Sequence, residues 1–169
     1  DGNFTSARTV DSKAAKIVIP VTEKSMNRTS KSAAKCPHPL CDRLKYLMPH
    51  EKVGYSCFVE QLSAWADSNF THPKLRPILR YIQGGTILSD LSNVGIIQLT
   101  LEGIPQNGKD NAMVCWIVNG LGEESSGPCW LDMGLIHAFI QYYDYQQFND
   151  NKNLCMITGT MEPIPKFYP

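Results

Sequence analysis

The chain has 169 residues, the size of one ordinary domain. Its 16 Lys and Arg residues balance its 16 Asp and Glu residues, so the formal net charge is zero. Phosphate backbones select basic proteins, and this balance therefore argues against nucleic acid as a partner. No apolar run reaches the ~18 residues that a membrane-spanning helix needs, so we expect no transmembrane segment.

The first 35 residues differ in composition from the rest. They are rich in Ser, Thr, Ala and Lys, and Phe4 is their single aromatic residue. The β-branched stretch 16–22 is typical of an edge strand, because Pro20 has no N–H to give to a central ladder. We expect residues 1–35 to form an extended arm, and residues 36–169 to form one globular domain. The arm is either flexible or docked, and a docked arm offers a route to oligomers.

Three segments have helical periodicity. The second half of 53–66 repeats its apolar residues at helical spacing, although its first half alternates like a strand. Residues 75–82 show the same spacing, and Gly84-Gly85 would end that helix. The apolar stripe across 131–143 predicts a third helix with Asp132 as its N-cap.

The second half of the chain also predicts strands. Alternating apolar residues indicate a half-buried strand at 94–102, and a run that is apolar on both faces indicates a central strand at 112–118. Asn107-Gly108 favours a turn between them. A further strand is expected at 154–161. The predicted fold class is α+β, an antiparallel sheet with two or three packed helices; the alternative is an all-β sandwich in which the last helix is a strand.

The cysteines predict disulfides rather than a metal site. Zinc sites usually need two short Cys/His pairs, and the chain has only one close pair, around His38. The oxygen-rich run 149–153 lacks the closing Glu of a calcium loop. We therefore expect no metal and no cofactor, and a disulfide-stapled domain whose pairings the spacing does not choose. The six cysteines are Cys36, Cys41, Cys57, Cys115, Cys129 and Cys155.

Three N-x-[ST] triplets point to the same compartment. Asn3, Asn27 and Asn69 are each followed two residues later by Thr, with no proline between. Glycosylation at these positions would require them to be exposed. Together with the even number of cysteines, the triplets predict a glycoprotein of the secretory route, located outside the cell.

The sequence carries no complete catalytic motif that we can identify. His137, with Asp132 and Gln141 on the same predicted helix, is the best candidate for a general base, but its spacing specifies no nucleophile. A locally hydrogen-bonded, partly buried histidine is the favoured interpretation. Tyr142, Tyr145 and Phe148 crowd the end of that helix, and exposed tyrosines are typical of binding surfaces. Packing of these rings against the tail is the competing interpretation.

The sequence thus favours a non-catalytic extracellular recognition module. Such a module would be a secreted factor, or part of a cell-surface or viral glycoprotein ectodomain, and would bind a protein or glycan. One alternative is a small secreted hydrolase or toxin. The other is a structural subunit that assembles through residues 1–35 by adding a strand to a neighbour.

Overall fold

The computed structural model describes residues 1–10, 17–122, 126–150, 152–154 and 158–163. Helices dominate this part of the chain, and strands occur only as two short antiparallel pairs. The helices are α1 (Glu23–Met26), α2 (Lys52–Ala66), α3 (Leu75–Gly84), α4 (Ile87–Asn93) and α5 (Met133–Asp150). The strands are β1 (Ile117–Val118), β2 (Gly127–Pro128), β3 (Lys152–Leu154) and β4 (Met161–Pro163), with β1 paired to β2 and β3 to β4.

Helices α2 and α3 pack against each other and supply much of the core. On α2, Phe58, Leu62 and Trp65 repeat at helical spacing and are fully buried. On α3, Pro77 lies in the first turn, where its missing N–H removes no helical hydrogen bond. Gly85 ends α3 at φ 69°, the left-handed conformation that glycine adopts without steric cost.

Helix α5 closes the core from the other side. The carboxylate of Asp132 accepts the N–H of Leu135 at 3.0 Å, which confirms its predicted role as the N-cap. The Phe139 ring meets the Trp65 ring edge-on with centroids 5.2 Å apart. Tyr142 stacks on the same indole, so one face of α5 is anchored on α2.

The predicted sheet is wrong, and the all-β alternative fails with it. Residues 94–102 contain no strand, because a turn at Thr100–Gly103 interrupts the segment and leaves only an isolated bridge between Leu99 and Pro105. Leu101, which the alternation placed on a buried face, is fully exposed at the turn. Within the predicted strand 112–118, only β1 is a strand. Of the predicted strand 154–161, residue 154 belongs to β3 and residue 161 to β4, and residues 155–157 lie outside the described residues.

The predicted disulfide staple is also wrong for the described residues. Their five cysteines are all free thiols: Cys36, Cys41, Cys57, Cys115 and Cys129. Cys155 lies outside the described part of the chain. The fold is held instead by its helical core and by buried polar contacts.

The first 35 residues contact the domain at defined points. Residues 17–21 form no strand, against the edge strand predicted for 16–22. Phe4 stacks on Tyr81 of α3 with centroids 6.2 Å apart. The backbone N–H of Glu23 donates to the Tyr143 hydroxyl on α5 at 3.0 Å. The division into an arm and a globular domain stays a prediction. None of the described helices is long and apolar enough to span a membrane.

Candidate nucleic-acid interface

The neutral overall charge hides an uneven distribution along the chain. Residues 1–80 carry thirteen of the sixteen Lys and Arg residues, but only seven of the sixteen Asp and Glu residues. The remaining residues have the opposite excess. A basic first half is an electrostatic feature that a phosphate backbone recognises, even when the whole chain is neutral.

The basic side chains concentrate in residues 22–52, which we call the basic loop layer. This layer has seven Lys and Arg residues against three Asp and Glu residues. It runs from α1 through two 3₁₀ turns, Ala33–Lys35 and Leu44–Leu47, to the start of α2. Both turns pack on α2, so the layer lies over the helical core rather than extending into solvent.

A buried carboxylate holds the basic loop layer together. Asp42 is completely buried, and Arg28 meets it with two parallel hydrogen bonds: Nη1 to Oδ2 at 2.5 Å and Nη2 to Oδ1 at 2.9 Å. The backbone N–H groups of His38 and Arg43 donate to the same carboxylate at 2.6 and 2.7 Å. A charge this deep is tolerated because every acceptor position is used. The ion pair fixes the segment after α1 to residues 38–43.

A second contact fastens α1 to the same loop. Thr22 and Ser25 form a capping box, with the Ser25 N–H donating to the Thr22 hydroxyl and the Thr22 N–H donating to the Ser25 hydroxyl. The Ser25 hydroxyl also lies 2.9 Å from Nδ1 of His38. Desolvation, with the positive charge of Arg28 added, lowers the pKa of His38 and keeps its ring neutral at pH 7. Neutral His38 adds no charge of its own to the layer.

The outer surface of the layer carries exposed cations. Arg43 and four lysines are exposed, and none of them forms an ion pair with another described residue. These five side chains are Lys24, Lys31, Lys35, Arg43 and Lys52. Arg28 and Lys45, by contrast, lie over the ring of Tyr46, at 5.5 and 5.3 Å from its centroid. The layer therefore presents exposed positive charge above a base that the buried Arg28–Asp42 pair holds together.

A second charged cluster lies at the start of α5. Lys74 is 2% exposed, and its Nζ lies 2.7 Å from Oδ2 of Asp132. Nε2 of His72 is 3.7 Å from the same oxygen, and its Nδ1 accepts the N–H of Lys74. Desolvation lowers the pKa of His72, so the ring is neutral and the Lys74–Asp132 pair is the ionic contact.

Cys129 lies beside this cluster but is not suited to catalysis. It is 3% exposed, and desolvation raises the pKa of its thiol to about 12. A thiol of that pKa is protonated at neutral pH and is a poor nucleophile. With no reactive thiol beside it, the Lys74–Asp132 pair is a structural contact, and it joins the start of α3 to the start of α5.

The residues predicted as a binding surface are separated by the fold. Tyr142 is 5% exposed and belongs to the core, whereas Tyr145 is exposed and its ring packs near Phe70 with centroids 5.5 Å apart. The side chain of Phe148 lies outside the described part of the chain. His137 is exposed on α5 rather than partly buried, and no other described side chain bonds to it. Among the described residues, no group of three or more His, Cys, Asp or Glu is placed to hold a metal ion.

The basic loop layer was missed because only the total charge was considered. Counting charges by segment reveals its excess, but nothing in the sequence links Arg28 to Asp42 across 14 positions. The described part of the chain is thus a mostly helical fold whose exposed basic side chains lie on loops held by a buried ion pair.

Comparison with protein-family models identifies the family. The model described as CRISPR-associated protein (Cas_Csd1) matches residues 1–169, and the chain therefore belongs to that family. CRISPR-associated proteins serve an intracellular defence system, and they work with nucleic acids and in protein complexes. Neither the curated proteins nor the solved structures that were compared contain a significant match to this chain.

Family membership overturns the predicted compartment and partners. The protein works inside the cell, so the extracellular recognition module, its glycan or protein partner outside the cell and the exclusion of nucleic acid are all wrong. Asn3, Asn27 and Asn69 are exposed, as glycosylation would require, but the prediction of a secreted glycoprotein is wrong for a CRISPR-associated protein. An even number of cysteines and three short triplets arise by chance more readily than the prediction allowed.

Proposed function

We propose that this chain binds the phosphate backbone of nucleic acid through the basic loop layer, as a subunit of a CRISPR-associated complex. The observation that carries this proposal is a set of five exposed cations between residues 24 and 52 that form no ion pair within the described part of the chain. Lys and Arg side chains that replace the counterions of a phosphate backbone supply most of the affinity in sequence-independent binding.

The fixed base of the layer favours this function. The buried Arg28–Asp42 pair and the contact between Ser25 and His38 hold the loops in one arrangement before any ligand arrives. Binding then costs less conformational entropy than it would from a disordered basic tail. The cations themselves sit on long side chains, which adapt to the spacing of phosphates.

The layer is built to bind the backbone rather than to stack on bases. Tyr46, the aromatic residue at its centre, is only 4% exposed and is covered by Arg28 and Lys45. Base stacking needs an accessible ring face. We therefore expect similar affinity for different sequences, and the phosphodiester chain is the chemistry that RNA and DNA share.

The test compares two charge-matched triple variants of the whole chain. In the first, Lys31, Lys35 and Arg43 are changed to Gln; in the second, Arg76, Arg80 and Lys109, which lie outside the layer, are changed to Gln. Binding to a labelled single-stranded RNA and to a DNA duplex is measured by fluorescence anisotropy at low salt. We expect the first variant to bind both probes more weakly and the second to bind like the unaltered chain.

Both variants lose three positive charges, so a general effect of net charge would weaken them equally. Equal weakening would contradict the assignment to the basic loop layer. Unchanged binding by the first variant would contradict it as well. The three positions in the layer are exposed, so we expect the first variant to fold like the unaltered chain. Matching circular dichroism spectra would exclude unfolding as the cause of weaker binding.

A further inference from the structure

Two of the free cysteines face each other across paired segments. An isolated antiparallel bridge joins Arg43 to Met113. The N–H of Leu44 donates to the carbonyl of Ala112 at 2.9 Å, and the N–H of Val114 donates to the carbonyl of Asp42 at 2.9 Å. Continuing this register by two residues places Cys41 directly opposite Cys115.

The type of pairing brings the two side chains close. The two hydrogen bonds flank the bridged pair, so Arg43 and Met113 form a non-hydrogen-bonded pair. Such pairs recur every two residues along an antiparallel ladder, so Cys41 and Cys115 fall at the next position of the same kind. Such pairs have Cα atoms about 4.5 Å apart and side chains on the same face. This separation is within the range of about 4.4–6.8 Å that a disulfide spans without backbone movement.

The remaining contacts of the region agree with this register. The indole N–H of Trp116 donates to the carbonyl of Leu40 at 2.8 Å, which keeps the two segments together beyond the bridge. Cys129 is also nearby, but its N–H donates to the carbonyl of Trp116, and β2 pairs with β1 so that Trp116, not Cys115, lies opposite Cys129. Cys41 is therefore the better-placed partner for Cys115.

We propose that Cys41 and Cys115 form a reversible dithiol that a peroxide oxidises to a disulfide, with Cys115 as the attacking thiol and Cys41 as the resolving thiol. The thiols, not the disulfide, are the resting state, as is usual inside cells. This inference rests on the register of 41–44 against 112–115 and is independent of nucleic-acid binding.

The surroundings of the two sulfurs assign their roles. Cys41 is 1% exposed, whereas Cys115 is half-buried and within reach of a small oxidant. A hydrogen bond between the two groups raises the pKa of Cys41, and burial adds to this rise. The same hydrogen bond lowers the pKa of Cys115, which increases its thiolate fraction and hence its reactivity.

The chemistry balances in two steps. The Cys115 thiolate attacks one oxygen of hydrogen peroxide and forms a sulfenic acid, while the other oxygen leaves as hydroxide and takes up a proton as water. The Cys41 sulfur then attacks the Cys115 sulfur, and the hydroxyl group leaves as a second water with the proton of Cys41. Two thiols lose two hydrogens in total, and one peroxide is reduced to two waters.

The first test identifies which cysteines become linked in the unaltered chain. Its result therefore does not depend on whether a cysteine variant folds. The protein is treated with hydrogen peroxide, its remaining thiols are alkylated, and unreduced digests are analysed by mass spectrometry. We expect a peptide pair joined through Cys41 and Cys115 that dithiothreitol separates. If Cys115 is oxidised while Cys41 is alkylated, or if Cys115 is joined to Cys57, Cys129 or Cys155, the proposal is wrong.

Two variants test the assigned roles. In Cys41→Ser, the sulfenic acid on Cys115 has lost its resolving thiol, and we expect a dimedone adduct there that the unaltered chain forms only weakly. In Cys57→Ser, the matched control on α2, the Cys41–Cys115 link should form as before. Failure of the dimedone adduct in a folded Cys41→Ser chain would reject Cys115 as the attacking thiol. If both cysteines are still thiols after peroxide treatment, the proposed reversible dithiol is wrong.

Discussion

The buried pair of Arg28 and Asp42 gives the sharpest prediction about stability. Changing Arg28 to Ala removes both side-chain donors to a carboxylate that is completely buried. Breaking a buried ion pair by removing one partner costs about 3–5 kcal/mol, because the other charge is left without compensation. The Arg28 side chain is 12% exposed, so water reaches the vacated site in part and the loss lies near 3 kcal/mol.

Two further contacts are lost with the guanidinium. It covers the Tyr46 ring at 5.5 Å from the centroid, and its Nη1 donates to the carbonyl of Cys36 at 3.2 Å. The ring contact contributes about 0.5–1 kcal/mol at a partly exposed site. We therefore expect Arg28→Ala to lower the free energy of unfolding by about 3.5–4 kcal/mol in total. Arg28→Lys keeps the charge but not the two-pronged geometry, and an intermediate loss is expected.

Urea unfolding followed by circular dichroism measures these losses. Arg76→Ala is the control, because Arg76 also pairs with an aspartate, Asp67, at 3.1 Å, but both side chains of this pair are more than half exposed. That exposed pair should contribute less than about 1 kcal/mol. If Arg28→Ala and Arg76→Ala cost the same small amount, then Asp42 is not the buried centre of the basic loop layer.

Two other substitutions have effects that follow from single contacts. Asp132→Asn keeps a cap on α5 but leaves buried Lys74 without its counter-charge. Unfolding should become easier by about 3 kcal/mol at pH 7, the low end of the range for a buried pair, because Asp132 is partly exposed. Burial would raise the pKa of Asp132, but hydrogen bonds from Lys74 and from the Leu135 N–H outweigh it and lower the pKa. The pair's contribution is therefore present above the unfolded pKa of about 3.9 and is lost as the pH falls through the lower folded pKa. Acid titrations of stability should show this loss in the unaltered chain and not in Asp132→Asn. Gly54→Ala should destabilise α2 by about 1–3 kcal/mol, although alanine normally favours a helix, because the new methyl would lie 2.6 Å from Cδ1 of Tyr46. A rise in the thermal midpoint of Gly54→Ala would show that Tyr46 moves freely, contrary to its packing beneath Arg28 and Lys45.

The helices that the sequence predicts share one property: their pattern is local. On α3, apolar residues at 75, 78, 79 and 82 followed by two glycines specify a helix and its end within ten residues. On α5, Asp132 and the stripe that follows do the same. Helix α4 was missed because its seven residues contain too short a stretch for periodicity to show.

The sheet was wrong for a related physical reason. Alternation over Ile97, Leu99 and Leu101 describes any extended segment, whether or not a partner strand lies beside it. Here the chain turns at Gly103 with φ 76°, and Pro105 offers no N–H to extend the ladder. Pairing across a sheet is a long-range property, and so are the Arg28–Asp42 pair and the register of Cys41 against Cys115.

The candidate interface was hidden by the total charge. Equal numbers of acidic and basic residues argue against nucleic acid only if charge is spread evenly. Charges act over distances of about 10 Å in salt solution, so their local arrangement decides binding. The excess in residues 22–52 is present in the sequence. That the loops are folded onto one base, with the exposed cations left unpaired, is known only from the structure.

The most direct test of the proposed function is the salt dependence of nucleic-acid binding. Each phosphate that a protein neutralises contributes about 0.9 to the slope of log K against log salt for duplex DNA, and about 0.7 for single strands. Exchanging Lys31, Lys35 and Arg43 for Gln should therefore reduce the slope by about 2–3 on duplex DNA, while the matched triple variant of Arg76, Arg80 and Lys109 keeps the slope of the unaltered chain. An unchanged slope after the loss of the three layer cations would show that the chain contacts nucleic acid elsewhere or not at all.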